Sequence, residues 1–293
     1  MHDRFPHLAQ RLFNRPLAIL PQKAELVVAA LADRMGVAHL FNASIGMRGA
    51  AEVTAASASL AGPGATNRAG YGVIGGVACI PVEGTLVQKL NCLTPYSGMT
   101  GYDGIRGNLL MALEDPAVRA IALDIDSPGG EVAGCFDLAD TIRAMRGQKP
   151  IWGILDEMAC SAAYALAAAC DHITVPRTGC AGSIGVIAMH TDLSRACEKQ
   201  GVTVTLITHG ARKADGSPYA PLEGAALAGI QAEIDTMGAL FCATVAACRG
   251  TTPEAIEAMQ ARTFLGAEAV AAGLADAVMA PDAALAALIA SLN

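Results

Sequence analysis

From about residue 76 onward, short β-branched and apolar runs alternate with longer stretches whose apolar positions recur at helical spacing. Residues 77–82, 120–126, 150–155, 173–175, 184–189 and 202–208 read as strands. Between and after them, residues 102–113, 131–146, 161–169, 193–200, 222–249 and 253–260 read as helices, the first stopping before Pro116. Strands and helices in this alternation predict a largely parallel sheet covered by helices, an α/β core. Ahead of it, residues 5–36 carry a helical pattern (Leu12, Phe13, Leu17, Leu20, Leu26, Val27, Val28, Leu31, Met35) broken by Pro16 and Pro21. Residues 44–75 are rich in Gly, Ala, Ser and Thr with little periodicity, the composition of a flexible linker. The expected organisation is a helical arm over 1–43, a linker over 44–75 and an α/β domain over 76–293.

Composition narrows the function. Hydrophobic residues make up 53% of the 293 positions, yet aromatics are only 4%, so the positive mean hydropathy comes from small residues. The longest weakly polar run, Met158 to Cys170, falls short of the roughly 18–20 apolar residues a membrane span needs, so no membrane anchor is expected. Early charges at Asp3, Arg4, Arg11 and Arg15 and the lack of a long apolar run argue against a secretory signal. A net charge of −7 argues against nucleic acid as the main partner. The nine cysteines contain no C-x-x-C pair, which fits buried thiols in a reducing, cytoplasmic setting better than disulfides or a zinc site. No metal and no cofactor is expected.

Four segments carry candidate chemistry. Ser161, in Met158-Ala-Cys-Ser-Ala-Ala-Tyr164, stands where a strand gives way to a helix, so its hydroxyl meets converging amides; the plain alternative is a helix N-cap. Lys213 sits in a loop, Gly210-Ala-Arg-Lys-Ala-Asp-Gly-Ser-Pro218, and is either solvated or, if buried and neutral, a base for the serine proton. Arg212 cannot take that role because guanidinium stays protonated. Asp126-Ser-Pro-Gly-Gly130 is either an ordinary strand-to-helix turn or a backbone oxyanion hole, in which glycine admits a carbonyl oxygen close to amide N–H groups. Gly182-Ser-Ile-Gly-Val186 is a tight turn or places Ser183 to orient the lysine. Weaker candidates are Cys160 as a thiol nucleophile with His172, His190 or His209, and a His190–Asp192 pair. Gly72–Gly76 fits no dinucleotide or phosphate-loop pattern.

Taken in order, Asp126-Ser-Pro-Gly-Gly130, Ala159-Cys-Ser-Ala-Ala-Tyr164, Gly182-Ser-Ile-Gly-Val186 and Lys213 resemble the signal peptide peptidase A family of serine peptidases. Thr263-Phe-Leu-Gly-Ala-Glu-Ala269 and Gly273-Leu-Ala-Asp276 are similar to its closing motif, so the resemblance covers about residues 76–279. Phe5-Pro-His7, Leu12-Phe-Asn-Arg-Pro-Leu17, His190-Thr-Asp-Leu-Ser194 and Lys213-Ala-Asp-Gly-Ser-Pro218 are similar to the family's phage branch of lambda-type capsid assembly proteases (protein C-like). The resemblance implies a Clp/crotonase-type superhelix of ββα units. It implies Ser161 as nucleophile, Lys213 as general base, Ser183 as its orienting partner, and an oxyanion hole from Gly130, with Gly129, and the Ala162 amide. It also implies a homo-oligomer whose substrates are capsid scaffold or portal-associated proteins, working in the host cytoplasm or prohead interior. The sequence stops at Asn293, soon after the closing motif, so any scaffold is expected on a separate chain. A signal-peptide or general peptide peptidase, a non-catalytic minor capsid protein and a crotonase-like acyl-CoA enzyme are the competing expectations.

Overall fold

The computed structural model describes residues 15–24, 69–95 and 98–293. In chain order the strands are β1 (Leu17–Ile19), β2 (Gly72–Ile74), β3 (Val77–Val87), β4 (Met99–Gly101), β5 (Ala120–Glu131), β6 (Ile151–Cys160), β7 (His172–Val175), β8 (Cys180–Gly182), β9 (Thr263–Leu265) and β10 (Ala277–Val278). The helices are α1 (Tyr102–Glu114), α2 (Cys135–Met145), α3 (Ala162–Ala168) and α4 (Ser194–Lys199), then α5 (Gly224–Arg249), α6 (Pro253–Glu257), α7 (Gly266–Ala271) and α8 (Pro281–Ser291).

The sheet runs β10-β7-β6-β5-β3-β2, and every pair from β10 to β3 is parallel. Parallel strands are covered on both faces and so read as continuous apolar runs. β5 shows this: all of its residues except Asp124, Asp126 and Glu131 are buried. On one face lie α1, α2 and α3, which bury Ile105, Leu109, Leu138, Ile142 and all of α3. On the other, α8 sets Ala284 and Leu288 against Val77, Ala120, Ala122 and Ile154. The seven residues of α3 are Ala-Ala-Tyr-Ala-Leu-Ala-Ala. A helix apolar on every side belongs in the middle of a protein. Small side chains let the sheet, α2 and the C-terminal part of α5 all close on it, which is where much of the alanine in this chain goes.

Three expectations change. Residues 17–19 form a strand rather than part of a helix, because Pro16 and Pro21 bracket too short a piece for a helix to survive. Residues 21–24 do form a helical turn, with the Ala24 N–H donating to Leu20 O at 3.1 Å, whereas residues 1–14 and 25–68 of the expected arm and linker lie outside the described residues and Gly72–Ile74 at the linker's end already pair with β3. Residues 184–189 form no strand beyond a single bridge at Ile187. Residues 202–208 have the alternation and β-branching of a strand but lie exposed without a ladder partner, Ile207 at 96% exposure. Strand propensity is realised only against a neighbouring edge, and the described residues offer this segment none.

Candidate active site

The carboxyl ends of β5, β6 and β8 converge, and each supplies one expected element of the site. β6 ends at Cys160, and Ser161 takes φ +55°, ψ −121° before α3 begins. A side chain with positive φ is strained there, and such strain persists only where the surroundings fix it. Here the Ser161 N–H donates to Gly182 O at 2.8 Å and its carbonyl accepts from Ala165 N at 3.1 Å. The hydroxyl donates to Gly185 O at 3.4 Å, and the residue is only 1% exposed. The sharp turn from strand into helix has the form of the nucleophile elbow of α/β-hydrolases. Arg146 fixes the far end of α3, donating from Nε to Ala169 O at 2.8 Å and from Nη2 to Ala168 O at 2.9 Å. Tyr164 donates its hydroxyl to Leu274 O at 2.9 Å and so ties α3 to the closing motif.

Asp126-Ser-Pro-Gly-Gly130 is part of β5 rather than the strand-to-helix turn expected. Gly129 stands at φ +101°, and a Cβ there would lie 3.0 Å from Ser161 Cβ and 2.9 Å from Cys160 O. Gly130 is paired with Leu86, whose backbone a Cβ would run into. Glycine is required at both positions by close approach. The Gly129 N–H is taken by Ser127 Oγ at 3.2 Å, and that hydroxyl donates in turn to Gly84 O at 2.6 Å. Gly130, the next residue, is registered with Ala18 of β1. Ala162, in the first turn of α3, has an amide without an intrahelical acceptor. Ser183 follows β8, whose Gly182 is registered with Cys160, so it emerges beside Ser161. It is 7% exposed, and its N–H donates to Arg262 O at 2.9 Å.

Ser161, Gly129, Gly130, Ala162 and Ser183 thus come together, and Lys213 does not join them. It lies exposed on the turn beginning at Gly210, whose carbonyl accepts its N–H at 3.2 Å, and no hydrogen bond runs from its amine to Ser161 or Ser183. The burial its role requires is not met within this one chain. The rival nucleophile fares worse. Cys160 is fully buried with its Sγ 3.5 Å from Cys180 Sγ, and that contact together with burial pushes its thiol well above the usual range. His172 faces Asp276 at 3.7 Å and packs tilted against Trp152, ring centroids 4.3 Å apart, while His209 is exposed, so neither activates it. Among the described residues no group of His, Cys, Asp and Glu could hold a metal ion. No helix among them is long and apolar enough to cross a membrane.

Sequence reading passed over two features of the site. Ser127 anchors the glycine strand, a role hidden inside the motif itself. More consequential, β1 lies antiparallel along Gly129–Glu131 and bridges on its other edge to Ile187. The available signal was the four-residue apolar run between Pro16 and Pro21.

A strained, buried serine stands at a strand-to-helix turn beside two glycines, and residues 143–292 match the model of peptidase family S49. The chain belongs to that family. It is 41% identical over 273 residues to capsid assembly protease C of Escherichia phage lambda, covering 92% of this chain and 62% of that one. It is 37% identical over 295 residues to head-tail preconnector protein GP5 of Enterobacteria phage P21, covering 100% of this chain and 59% of that one. The chain therefore spans about three fifths of the length of these two relatives. A putative protease of Synechocystis is 31% identical over 177 residues, covering 59% of this chain and 64% of that one. Among solved structures, a ClpP1 mutant from Listeria monocytogenes aligns with a TM-score of 0.43 at 14% identity, covering 69% of this chain and 90% of that one. The Clp/crotonase-type fold expected from the motifs agrees with this membership and with the layered α/β sheet.

Proposed function

We propose that the chain is a serine endopeptidase of phage or prophage capsid maturation, cutting scaffold or other head proteins in the host cytoplasm or prohead interior. The turn at Ser161, pinned beside the Gly129–Gly130 strand, carries the chemical half of this reading; the capsid-assembly relatives support the biological half. Ser161 Oγ attacks the scissile carbonyl carbon, and the Gly130 and Ala162 amides receive the oxyanion. Lys213, held by Ser183, takes the serine proton, delivers it to the leaving amine, and then activates the water that hydrolyses the acyl-enzyme.

That role demands a neutral amine, which desolvation favours and solvent exposure opposes. The same exposed stretch carries Val202, Val204, Leu206 and Ile207, an unusual apolar load for free surface. Association with a second copy would bury this segment and bring Lys213 out of water, in keeping with a homo-oligomeric enzyme.

The test is cleavage of an unfolded protein such as casein, read by mass spectrometry for wild type, Ser161→Ala and Lys213→Ala. Wild type is expected to cut, and each variant to lose activity by a factor of about 10³ or more. Mixing the two inactive variants restores part of the activity if Lys213 serves a neighbouring copy. Activity that survives in Ser161→Ala overturns the assignment.

A further inference from the structure

β1 sits in the site in a defined register. Its residues Leu17, Ala18 and Ile19 are 3%, 0% and 4% exposed, and they pair antiparallel with Glu131, Gly130 and Gly129. The pairing extends beyond the strand: Leu20 N–H donates to Pro128 O at 2.9 Å and Val132 N–H to Pro16 O at 3.5 Å. On the opposite edge, Leu17 and Ile187 exchange two hydrogen bonds, each 2.8 Å. Segment 16–20 is thus clamped between the glycine strand on one side and the chain that follows Ser183 on the other. An extended peptide added as a strand between two edges is a general mode of peptide recognition, in which main-chain bonds supply affinity.

The register also says which bond is on offer. Ala18 stands opposite Gly130, the residue whose amide the proposed function assigns to the oxyanion. A Cβ built on Gly129 would meet the Ala18 carbonyl oxygen on one side and Ser161 Cβ, 3.0 Å away, on the other. Within the segment, the Ala18 carbonyl is thus set against the same glycine that Ser161 approaches. Upstream, Pro16 borders a cleft whose wall is largely apolar (Ile187, Met189, Leu227, Ile230) with His190, Gln231 and Glu233 also lining it, which gives the residues preceding the bond a trough to lie in.

We propose that residues 16–20 are the first substrate of this site: Ser161 cuts the Ala18–Ile19 bond of its own chain, and until then the segment bars other polypeptides from the cleft. The inference rests on the peptidase reading above. Ser161 Oγ bonds to the Ala18 carbonyl carbon, the serine proton passes through the base to the Ile19 nitrogen, and the C–N bond breaks. Ile19 becomes a new amino terminus. Water then hydrolyses the Ala18 ester, leaving a carboxylate on the released piece and restoring Ser161. Because the segment is tethered, its effective concentration at the cleft is on the order of millimolar, enough to outcompete a free substrate of ordinary affinity.

Two measurements on the full chain test this. Hydrogen exchange on Ser161→Ala, which cannot cut, is expected to show Leu17 and Leu20 amides protected at least tenfold over free-peptide rates. Intact mass and amino-terminal sequencing of wild type are expected to give a chain beginning at Ile19, with Ser161→Ala still beginning at Met1. Ala18 is fully buried, so Ala18→Arg cannot seat; that variant should keep its amino terminus and still cut casein. Unprotected Leu17 and Leu20 amides overturn the proposal whatever the activity. Casein cleavage by a wild type whose Ala18–Ile19 bond stays whole overturns it and leaves the peptidase reading intact. Failure to cut either overturns both.

Discussion

Gly129→Ala puts the geometry of the site under direct stress. At φ +101° an alanine pays about 1–2 kcal/mol for a left-handed backbone. Its Cβ would also sit 2.9 Å from Cys160 O and 3.0 Å from Ser161 Cβ, contacts that release of β1 does not relieve. Overpacking of this kind adds about 1–3 kcal/mol. Gly147, at φ +82° with nothing within 4 Å of a Cβ, is the matched control carrying the backbone term alone. Urea unfolding should therefore place Gly129→Ala about 1–3 kcal/mol below Gly147→Ala, with the slope unchanged in both. Gly147→Ala should keep wild-type cleavage of casein. Gly129→Ala should lose about 10²–10³ in rate as the neighbouring Gly130 amide is turned from the oxyanion. Equal stabilities with full activity in both variants would refute the claim that Gly129 and Ser161 touch.

Other expectations concern what holds α3 and the closing motif. Arg146→Met removes three carbonyl partners from the end of α3 and should cost about 1–3 kcal/mol in thermal unfolding. Asp276 accepts from Arg249 Nη2 at 2.7 Å and from Ile173 N–H at 2.7 Å, so Asp276→Ala should cost about 2–4 kcal/mol by leaving the Ile173 amide unpaired and Arg249 with only its bond to Gly273 O. Burial alone raises the Asp276 pKa, but the Arg249 and Ile173 hydrogen bonds with the Arg249 charge outweigh it, so the stability it contributes fades as acid protonates it below the ordinary aspartate range. Asp124 behaves oppositely: burial first, then Asp156, Glu83 and Asp126, raise it to about 6. The folded chain holds that proton more tightly than the unfolded one, so stability falls as pH rises from about 4 to 6 and stays reduced above. Asp124→Asn should accordingly gain on the order of 2 kcal/mol at pH 8 and nothing below pH 4, read from urea curves at the two pH values.

What the sequence disclosed depended on how local its cause was. β3, β5, β6, α1 and α5 were legible because β-branched runs and helical spacing are written in adjacent residues and pack within the same chain. The serine turn, the two glycines and Ser183 were legible as a set of motifs, since close backbone approach admits few residue types. The Val202–Thr208 segment looked like a strand and is not one here, because a strand needs an edge and propensity does not say whether one is present. Lys213 stays exposed apart from Ser161 and Ser183, and its sequence surroundings carry no signal for whether that loop is covered. β1 was missed because its partners are over a hundred residues away, and nothing in Leu-Ala-Ile announces a seat against Gly129–Glu131.

The most direct test of the central claim is to quench the enzyme in acid during turnover of an activated peptide ester and map the trapped acyl group by peptide mass spectrometry. The account predicts the acyl group on Ser161, absent from Ser161→Ala and sharply reduced in Lys213→Ala. An acyl group on Cys160, or turnover that proceeds with Ser161 never acylated, would contradict it.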